Sequence, residues 1–271
     1  MYWVAEVSRF TVLGGSGFVG KYLIQYLKNN GHEVLAPSRA ELNSLPHDLG
    51  HVVYAVGLTG DFRQKQVETI DAHVNVLASI LYKNTFSSFL YLSSVRLYSG
   101  VDSPQPVTEE MALVVKPGLD AVYDLSKLLG ESLCLMLDNP SVRVARLSNV
   151  YGHGQSKHTF LQMLLNEISE KGTVEIREAP QSAKDYVFVG DVVCALENIA
   201  LYGQHRIYNV ASGVRVMHKQ IADYLASQGD AKITFAENGA LRRFPEVSVE
   251  RLVREFGWAP QSFLRSLNDL V

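Results

Sequence analysis

The chain is poor in cysteine. Only Cys134 and Cys194 occur in 271 residues, each inside an apolar run, SLCLML and VVCALENI. Two isolated cysteines make neither a disulfide framework nor a metal cluster, and their scarcity suits a reducing compartment. An excess of one charge is also missing. Lys and Arg number 25 against 28 Asp and Glu, for a net charge of −3, so no basic surplus points to nucleic acid as a partner. No apolar run approaches the roughly 18 residues of a membrane helix. The N-terminus lacks the basic segment and apolar core of a secretory signal. No internal repeat or low-complexity tract is visible. These absences predict a cytoplasmic protein with neither a nucleic-acid nor a membrane partner. Hydrophobic residues at 47% and charged residues at 20% suit a globular chain with a substantial core. The length allows one large domain or two small ones.

Strand and helix patterns alternate over the first two thirds. Residues 10–13 are a β-prone run followed at once by glycines. Residues 18–30 carry Val19, Leu23, Ile24 and Leu27 on one helical face, and Gly31 stops the helix. A second strand is predicted at 33–36, and VVYAV at 52–56 is a buried-strand run. A long helix at 67–82, a strand at 89–92, a helix at 123–137 and a strand at 142–147 follow. This order predicts an α/β fold of the Rossmann type, a doubly wound parallel sheet with helices on both faces. Only about a dozen residues lie between Arg39 and Val52, little room for a strand and a helix, so an abbreviated connection is expected. Beyond Tyr151 the predicted elements (helices 159–171, 191–201 and 217–227, strands 173–177 and 206–210) suggest a smaller α/β lobe. The expected division is 1–150 for a dinucleotide-binding domain that also uses parts of 185–212, and 151–271 mainly for a substrate lobe.

Gly14-Gly15-Ser16-Gly17-Phe18-Val19-Gly20 lies between the first strand and the first helix. Gly14 permits a tight turn, Gly17 a close approach to a pyrophosphate, and Gly20 close packing of helix on strand. The helix N-terminus adds free N–H groups and the positive dipole end. At the end of the second strand, NAD binders place an acid and NADP binders an arginine. Here Pro37-Ser38-Arg39 stands there, so Ser38 and Arg39 are candidates to hold a 2′-phosphate, and NADP is favoured over NAD. An ordinary surface arginine is the other reading, and Glu41 nearby leaves NAD open.

Tyr123 and Lys127 are spaced i, i+4 in YDLSK, one above the other on a helix face. A tyrosine is a poor acid–base group at neutral pH until a cation lowers its pKa, and Lys127 is the expected cation. Ser94, in LSSVRLY, sits at the carboxyl end of a strand, where open α/β sheets bind ligands, and can orient a hydroxyl or carbonyl towards Tyr123.

With these motifs in this order, the chain resembles the extended short-chain dehydrogenase/reductase superfamily, in its NAD(P)-dependent sugar epimerase/dehydratase branch. The likeness runs nearly end to end: GGSGFVG at 14–20, VVYAVG at 52–57, FLYLSSVRLY at 89–98, YDLSK at 123–127, RLSNVYG at 146–152, KDYVFVGDVV at 184–193, YNVASG at 208–213 and FGWAP at 256–260. The resemblance implies a catalytic set of Ser94, Tyr123 and Lys127. It implies a cofactor site of Gly14, Gly17, Phe18, Val19, Gly20, Ser38, Arg39, Ala55, Val56, Gly57, Tyr123, Lys127 and Asn149. Ser94, Arg96, Asn149, His158, Lys184 and Arg242 are the candidates towards a nucleotide-sugar, the last two for its diphosphate. Asn75 matches an asparagine that helps hold the active-site helix and strand together. A homodimer through the helices at 67–82 and 123–137 is implied, and no metal.

Departures narrow the reaction. The 4,6-dehydratases follow the catalytic hydroxyl residue with Asp-Glu; Val95 and Arg96 stand here and cannot perform that elimination. Reductase-epimerases related to GDP-fucose synthase carry a cysteine at the place of Arg96 and a histidine near that of His158. His158 is therefore either a proton donor to a sugar carbon or an exposed histidine without a role. Leu147 replaces a usual proline, which puts the contacts around Asn149 in question. The expectation is a sugar epimerase working through a transient keto intermediate. An NADPH-dependent 4-keto-sugar nucleotide reductase is the alternative. A non-catalytic dinucleotide-binding sensor or scaffold, or an enzyme on a non-sugar ketone, are the rivals from other classes.

Overall fold

The computed structural model describes residues 7–58, 62–118, 121–267 and 270. The apolar runs become buried parallel strands, and the amphipathic segments between them become helices that cover the two faces. In chain order the first part comprises β1 (Arg9–Leu13), α1 (Phe18–Asn29), β2 (Glu33–Leu35), β3 (His51–Tyr54), α2 (Gln66–Ile70), α3 (Val76–Lys83), β4 (Ser88–Ser94), α4 (Ala121–Leu135) and β5 (Val142–Leu147). A π-helical turn at Asp71–Asn75 joins α2 to α3 without a break. The expected short connection after β2 is a single 3₁₀ turn, Arg39–Ser44.

The second part comprises β6 (Asn149–Tyr151), α5 (Phe160–Lys171), β7 (Thr173–Glu178), β8 (Ala183–Phe188), α6 (Val189–Tyr202), β9 (Ile207–Val210), β10 (Arg215–Met217), α7 (His218–Ser227), β11 (Lys232–Ala240), α8 (Glu250–Phe256) and α9 (Phe263–Ser266). The main sheet has six parallel strands in the order β2-β1-β3-β4-β5-β9. The chain passes from β2 across β1 to β3, so the strand order switches between β1 and β3. Crevices at such switch points, outside the carboxyl ends of the strands, are where open α/β sheets take ligands.

Two apolar layers hold this sheet. Leu23 and Leu27 of α1 and Val192, Leu196 and Ile199 of α6 pack on one face. Leu77, Ile80 and Leu81 of α3 and Cys134 of α4 pack on the other, against Tyr54, Phe89 and Tyr91. A separate cluster joins α5, α7 and α9 to two small sheets, β10-β8-β6 and β11-β7. Among the described residues no helix is long and apolar enough to cross a membrane, and no group of His, Cys, Asp and Glu is arranged to hold a metal ion.

Candidate active site

The glycine turn is built as its sequence requires. Gly14 takes a left-handed φ of +86°, and a Cβ there would fall 2.6 Å from the Ala55 carbonyl, so β3 approaches the turn too closely for any side chain. A Cβ on Gly20 would fall 2.3 Å from the Gly14 carbonyl oxygen, which is why α1 can pack onto the turn. Gly17 is the N-cap of α1 and offers no capping side chain, so the N–H groups of Phe18 and Val19 at the helix start find no side-chain acceptor there. A Cβ on Gly17 would meet only the Gly14 oxygen, at 3.3 Å. A glycine cradle beside the switch point, ending in an uncapped helix N-terminus, fits the pyrophosphate of a dinucleotide.

Ala55, Val56 and Gly57 continue β3 beside this turn, and the Ala55 N–H bonds to the Leu13 carbonyl at 2.8 Å. Ser38 caps the 3₁₀ turn: Glu41 Oε2 accepts from its N–H at 2.8 Å, and hydrogen bonding from the Ser38 side chain first and its N–H second holds the Glu41 carboxyl below its ordinary pKa. Glu41 is thereby committed to the turn, while Arg39 is exposed at its start.

β4 carries Ser94 to the carboxyl edge of the sheet, and α4 brings Tyr123 and Lys127 alongside. Tyr123 is 6% exposed and Lys127 5%. The Lys127 ammonium donates to the Leu92 carbonyl at 2.8 Å and lies 5.0 Å from the centre of the Tyr91 ring. Burial pushes its pKa down to about 7, opposed by the charge of Glu131 one turn along α4. Burial pushes the Tyr123 phenol up, while a hydrogen bond to Ser94 and the charge of Arg96 pull it back down.

Arg96 is thus a second cation beside the phenol, in addition to the Lys127 that the sequence predicts. The Arg96 guanidinium sits 5.6 Å from the Tyr123 ring centre and 5.3 Å from that of Phe62, and bonds Asp124 Oδ1 at 2.7 Å. It is thus fixed at the mouth of the site by the neighbour of the tyrosine it influences.

The bridge expected of Asn75 is made two residues earlier. Asn75 is exposed and its amide donates to Asp71 at 2.6 Å, within the π-helical turn. His73, 0% exposed, reaches the active helix through Nδ1 and Ser126 Oγ at 2.8 Å, and its ring meets Tyr123 edge-on at 5.3 Å. The π-helical turn adds one residue to the helix and so changes which side chain faces inwards, which the residue pattern alone does not reveal.

Two further anchors escaped the sequence reading. Arg146, buried in β5, pairs with Glu131 of α4 at 2.7 Å and bonds the Tyr98 hydroxyl at 2.7 Å. The Tyr98 hydroxyl in turn donates to Asn209 of β9 at 2.9 Å. These bonds fasten α4 to the sheet and so fix Tyr123 relative to Ser94. Asp185 of β8 accepts from Ser148, from the Ser212 N–H and hydroxyl, and from the Gly213 N–H, at 2.6–2.9 Å. Burial raises its pKa and these bonds oppose the rise. The motifs RLSNVYG and KDYVFVGDVV carried the signal for both anchors.

The substrate-side candidates divide. Asn149 bonds the Asp185 carbonyl at 2.8 Å and ties β6 to β8. His158 is exposed in the turn before α5, where its N–H bonds Ser156. Lys184 and Arg242, expected to face a diphosphate, both converge on the carboxylate of Glu178 at the end of β7, at 3.3 and 2.9 Å. The Lys184 ammonium also lies 4.7 Å from the Phe160 ring centre. Two cations around one carboxylate leave a net positive charge there, and Glu178 is a member of this cluster that the sequence did not single out.

The model of the NAD dependent epimerase/dehydratase family matches residues 10–75 and 47–211. The chain is 28% identical to the GDP-6-deoxy-D-mannose reductase of Pseudomonas aeruginosa, over 93% of this chain and 92% of the relative. The solved structure of RMD from Pseudomonas aeruginosa complexed with NADPH superposes with a TM-score of 0.79 at 26% identity, covering 96% and 95% of the two chains. The UDP-glucose 4-epimerase of Thermotoga maritima shares the fold, with a TM-score of 0.80 at 19% identity over 96% of each chain.

Proposed function

Because the chain belongs to the NAD dependent epimerase/dehydratase family, we propose that it is an NAD(P)-dependent enzyme acting on a nucleotide-activated sugar. We assign the dinucleotide to residues 1–150 with parts of 185–212, and the sugar nucleotide mainly to 151–271. The observation that carries this reading is the buried Tyr123, its phenol pulled down in pKa by Ser94 at the carboxyl edge of β4 and placed one turn from Lys127, beside an open glycine cradle. The bound dinucleotide supplies or accepts a hydride at the sugar carbon. Ser94 orients the reacting oxygen, Tyr123 gives or takes its proton, and the Arg96 charge stabilises the phenolate form. Lys184 and Arg242 receive the diphosphate by charge-assisted hydrogen bonds, in competition with Glu178.

Reduction of a keto-sugar nucleotide by NADPH is the favoured reaction. It is the activity named for the reductase that this chain resembles over nearly its whole length, and NADPH is bound in the RMD structure. Epimerisation is the second reading, since oxidation and re-reduction of one carbon need no acid–base group beyond Tyr123. The apolar residues Leu125 and Leu129 left exposed on α4 and Met136 just past its end, with Val67 and Ile70 on α2, support a homodimer through these helices. The free thiols of Cys134 and Cys194 suit the cytoplasm.

The test is direct. The purified protein is mixed with NADPH and a GDP- or dTDP-linked 4-keto-6-deoxy sugar, and separately with NAD and UDP-glucose. Consumption of NADPH in the first mixture supports reduction, and an epimer without net cofactor change in the second supports epimerisation. No turnover of any nucleotide-sugar, with turnover of free ketones, would overturn the substrate class.

A further inference from the structure

Phe62 is buried away from any core. It stands on the connection from β3 to α2 and is 4% exposed, yet it belongs to none of the apolar clusters formed by the described residues. Its ring meets the active site instead. It lies 5.1 Å from the Tyr123 ring, centre to centre, with the two planes inclined at 44°. The Arg63 guanidinium is 4.7 Å from its centre and that of Arg96 5.3 Å. A side chain with no polar atom is thus packed directly against the group assigned to move the proton.

The surroundings of Tyr123 therefore combine two chemistries. Ser94, at the end of β4, lowers the pKa of the phenol and marks where a reacting oxygen is held. Phe62 adjoins the tyrosine ring and offers neither donor nor acceptor. The nearby charges do not change this. Arg96 bonds Asp124 at 2.7 Å, and Arg63 is exposed at the surface. Both guanidiniums lie against the phenyl ring, a cation–π arrangement that fixes its place.

A hexose that reacts at Tyr123 through C4 brings the two neighbouring carbons to this wall. One is C3 with its hydroxyl, and the other is C5 with the exocyclic C6. A methyl group at C6 packs on a phenyl ring without polar cost, whereas a hydroxymethyl group leaves a hydroxyl there without a partner. We propose that Phe62 is a specificity-determining residue that forms the wall for C6 of the sugar and selects a 6-deoxyhexose over its 6-hydroxy counterpart. The inference rests on the reading of Tyr123 as the acid–base group of a nucleotide-sugar enzyme.

The test uses sugars that differ only in the 6-hydroxyl: GDP-6-deoxy-D-mannose against GDP-D-mannose, and dTDP-6-deoxy-D-glucose against dTDP-D-glucose. Binding to the protein saturated with NADP, or with NAD if that is held more tightly, is measured by calorimetry for the wild type, Phe62→Leu and Phe62→Asn. The wild type should bind the 6-deoxy member of at least one pair about ten- to hundredfold more tightly. Phe62→Leu keeps the wall apolar and should keep the preference. Phe62→Asn supplies a partner for the hydroxyl and should bring the two sugars of that pair to within about threefold, with NADPH affinity unchanged. The wild-type comparison stands by itself if a variant fails to fold. Equal wild-type affinities, or a preference for the 6-hydroxy sugar, binding of UDP-glucose alone included, would overturn the inference. So would equal losses for both sugars in Phe62→Asn, which would make the ring only a support for Tyr123. Each of these results leaves the nucleotide-sugar reading standing. A wild-type protein that binds none of these sugars would overturn that reading, and the inference with it.

Discussion

Tyr123, Lys127 and Ser94 were legible because i, i+4 spacing on a helix and a serine at a strand end carry their geometry with them. Tyr123→Phe should keep the ring contacts with Phe62 and His73 and leave dinucleotide binding intact, while turnover falls by roughly 10²–10⁴-fold. Near-normal turnover of that variant on a nucleotide-sugar would remove the phenol from the mechanism. Arg39 is testable on its own terms. It is exposed and its neighbour Glu41 is tied to Ser38, so an arginine facing a 2′-phosphate gains charge-assisted bonds that NAD does not offer. Arg39→Ala should weaken NADPH at least tenfold and leave NADH unaffected, measured by titration; an unchanged ratio would make it surface decoration. What sequence did not reveal at this scale are partners at long separation: Glu131 for Arg146, Asp124 for Arg96, Glu178 for Lys184 and Arg242. Each pair joins residues distant in the chain or on different elements, and no local pattern encodes it.

Among the elements, the strands buried on both faces were the most legible, since a continuous apolar run admits few other readings. The abbreviated connection after β2 was legible from length alone. β6, β8, β10 and β11 were not. β10 has three residues, and β11 (KITFAENGA) alternates exposed and half-buried positions and shifts register between Phe235 and Ala240, so neither gives a clean period. The π-helical turn was invisible for a different reason. Its segment, DAHVN, is ordinary in composition, and the shift from Asn75 to His73 follows from packing against α4. The glycine turn offers a sharp test at this scale. A Cβ on Gly20 would fall 2.3 Å from the Gly14 oxygen and 2.9 Å from the Gly15 Cα, both backbone, so α1 must move off the turn. Gly20→Ala should lower stability by about 1–3 kcal/mol, seen as several degrees in thermal denaturation, and weaken dinucleotide binding. Unchanged melting and binding would show that the turn accommodates the methyl by a shift that the packing of β1 against α1 argues against.

For the molecule as a whole, burial of its basic groups sets how stability responds to pH. His73 is pushed down to about 2, His218 to about 4, and Lys127 to about 7 from its ordinary value of 10.5, in each case chiefly by burial. The sign is the same for all three: the unfolded chain binds a proton in a range where the folded chain does not. Stability from each group therefore falls as pH drops, between 6.5 and about 4 for His218 and between 10.5 and about 7 for Lys127. The slope is about 1.4 kcal/mol per pH unit for each group across its window. His218 is the cleaner probe, since it lies outside the catalytic set, stacks on Phe160 at 4.1 Å and has no hydrogen bond at either ring nitrogen. Lys184 adds to its depression and Glu178 opposes it. Asp185 and Asp191, whose pKa values are raised, act in the opposite sense just above 3.8, so the comparison must be between variants at fixed pH. Urea unfolding of wild type and His218→Gln at pH 5 and pH 6.5 makes that comparison. The wild type should lose more stability than the variant on acidification, by about 1–2 kcal/mol over that interval. Parallel losses would mean that His218 takes up its proton in the folded state as readily as in the unfolded one, paired with Glu178 at 3.4 Å, and that this carboxylate already serves three cations before any diphosphate arrives.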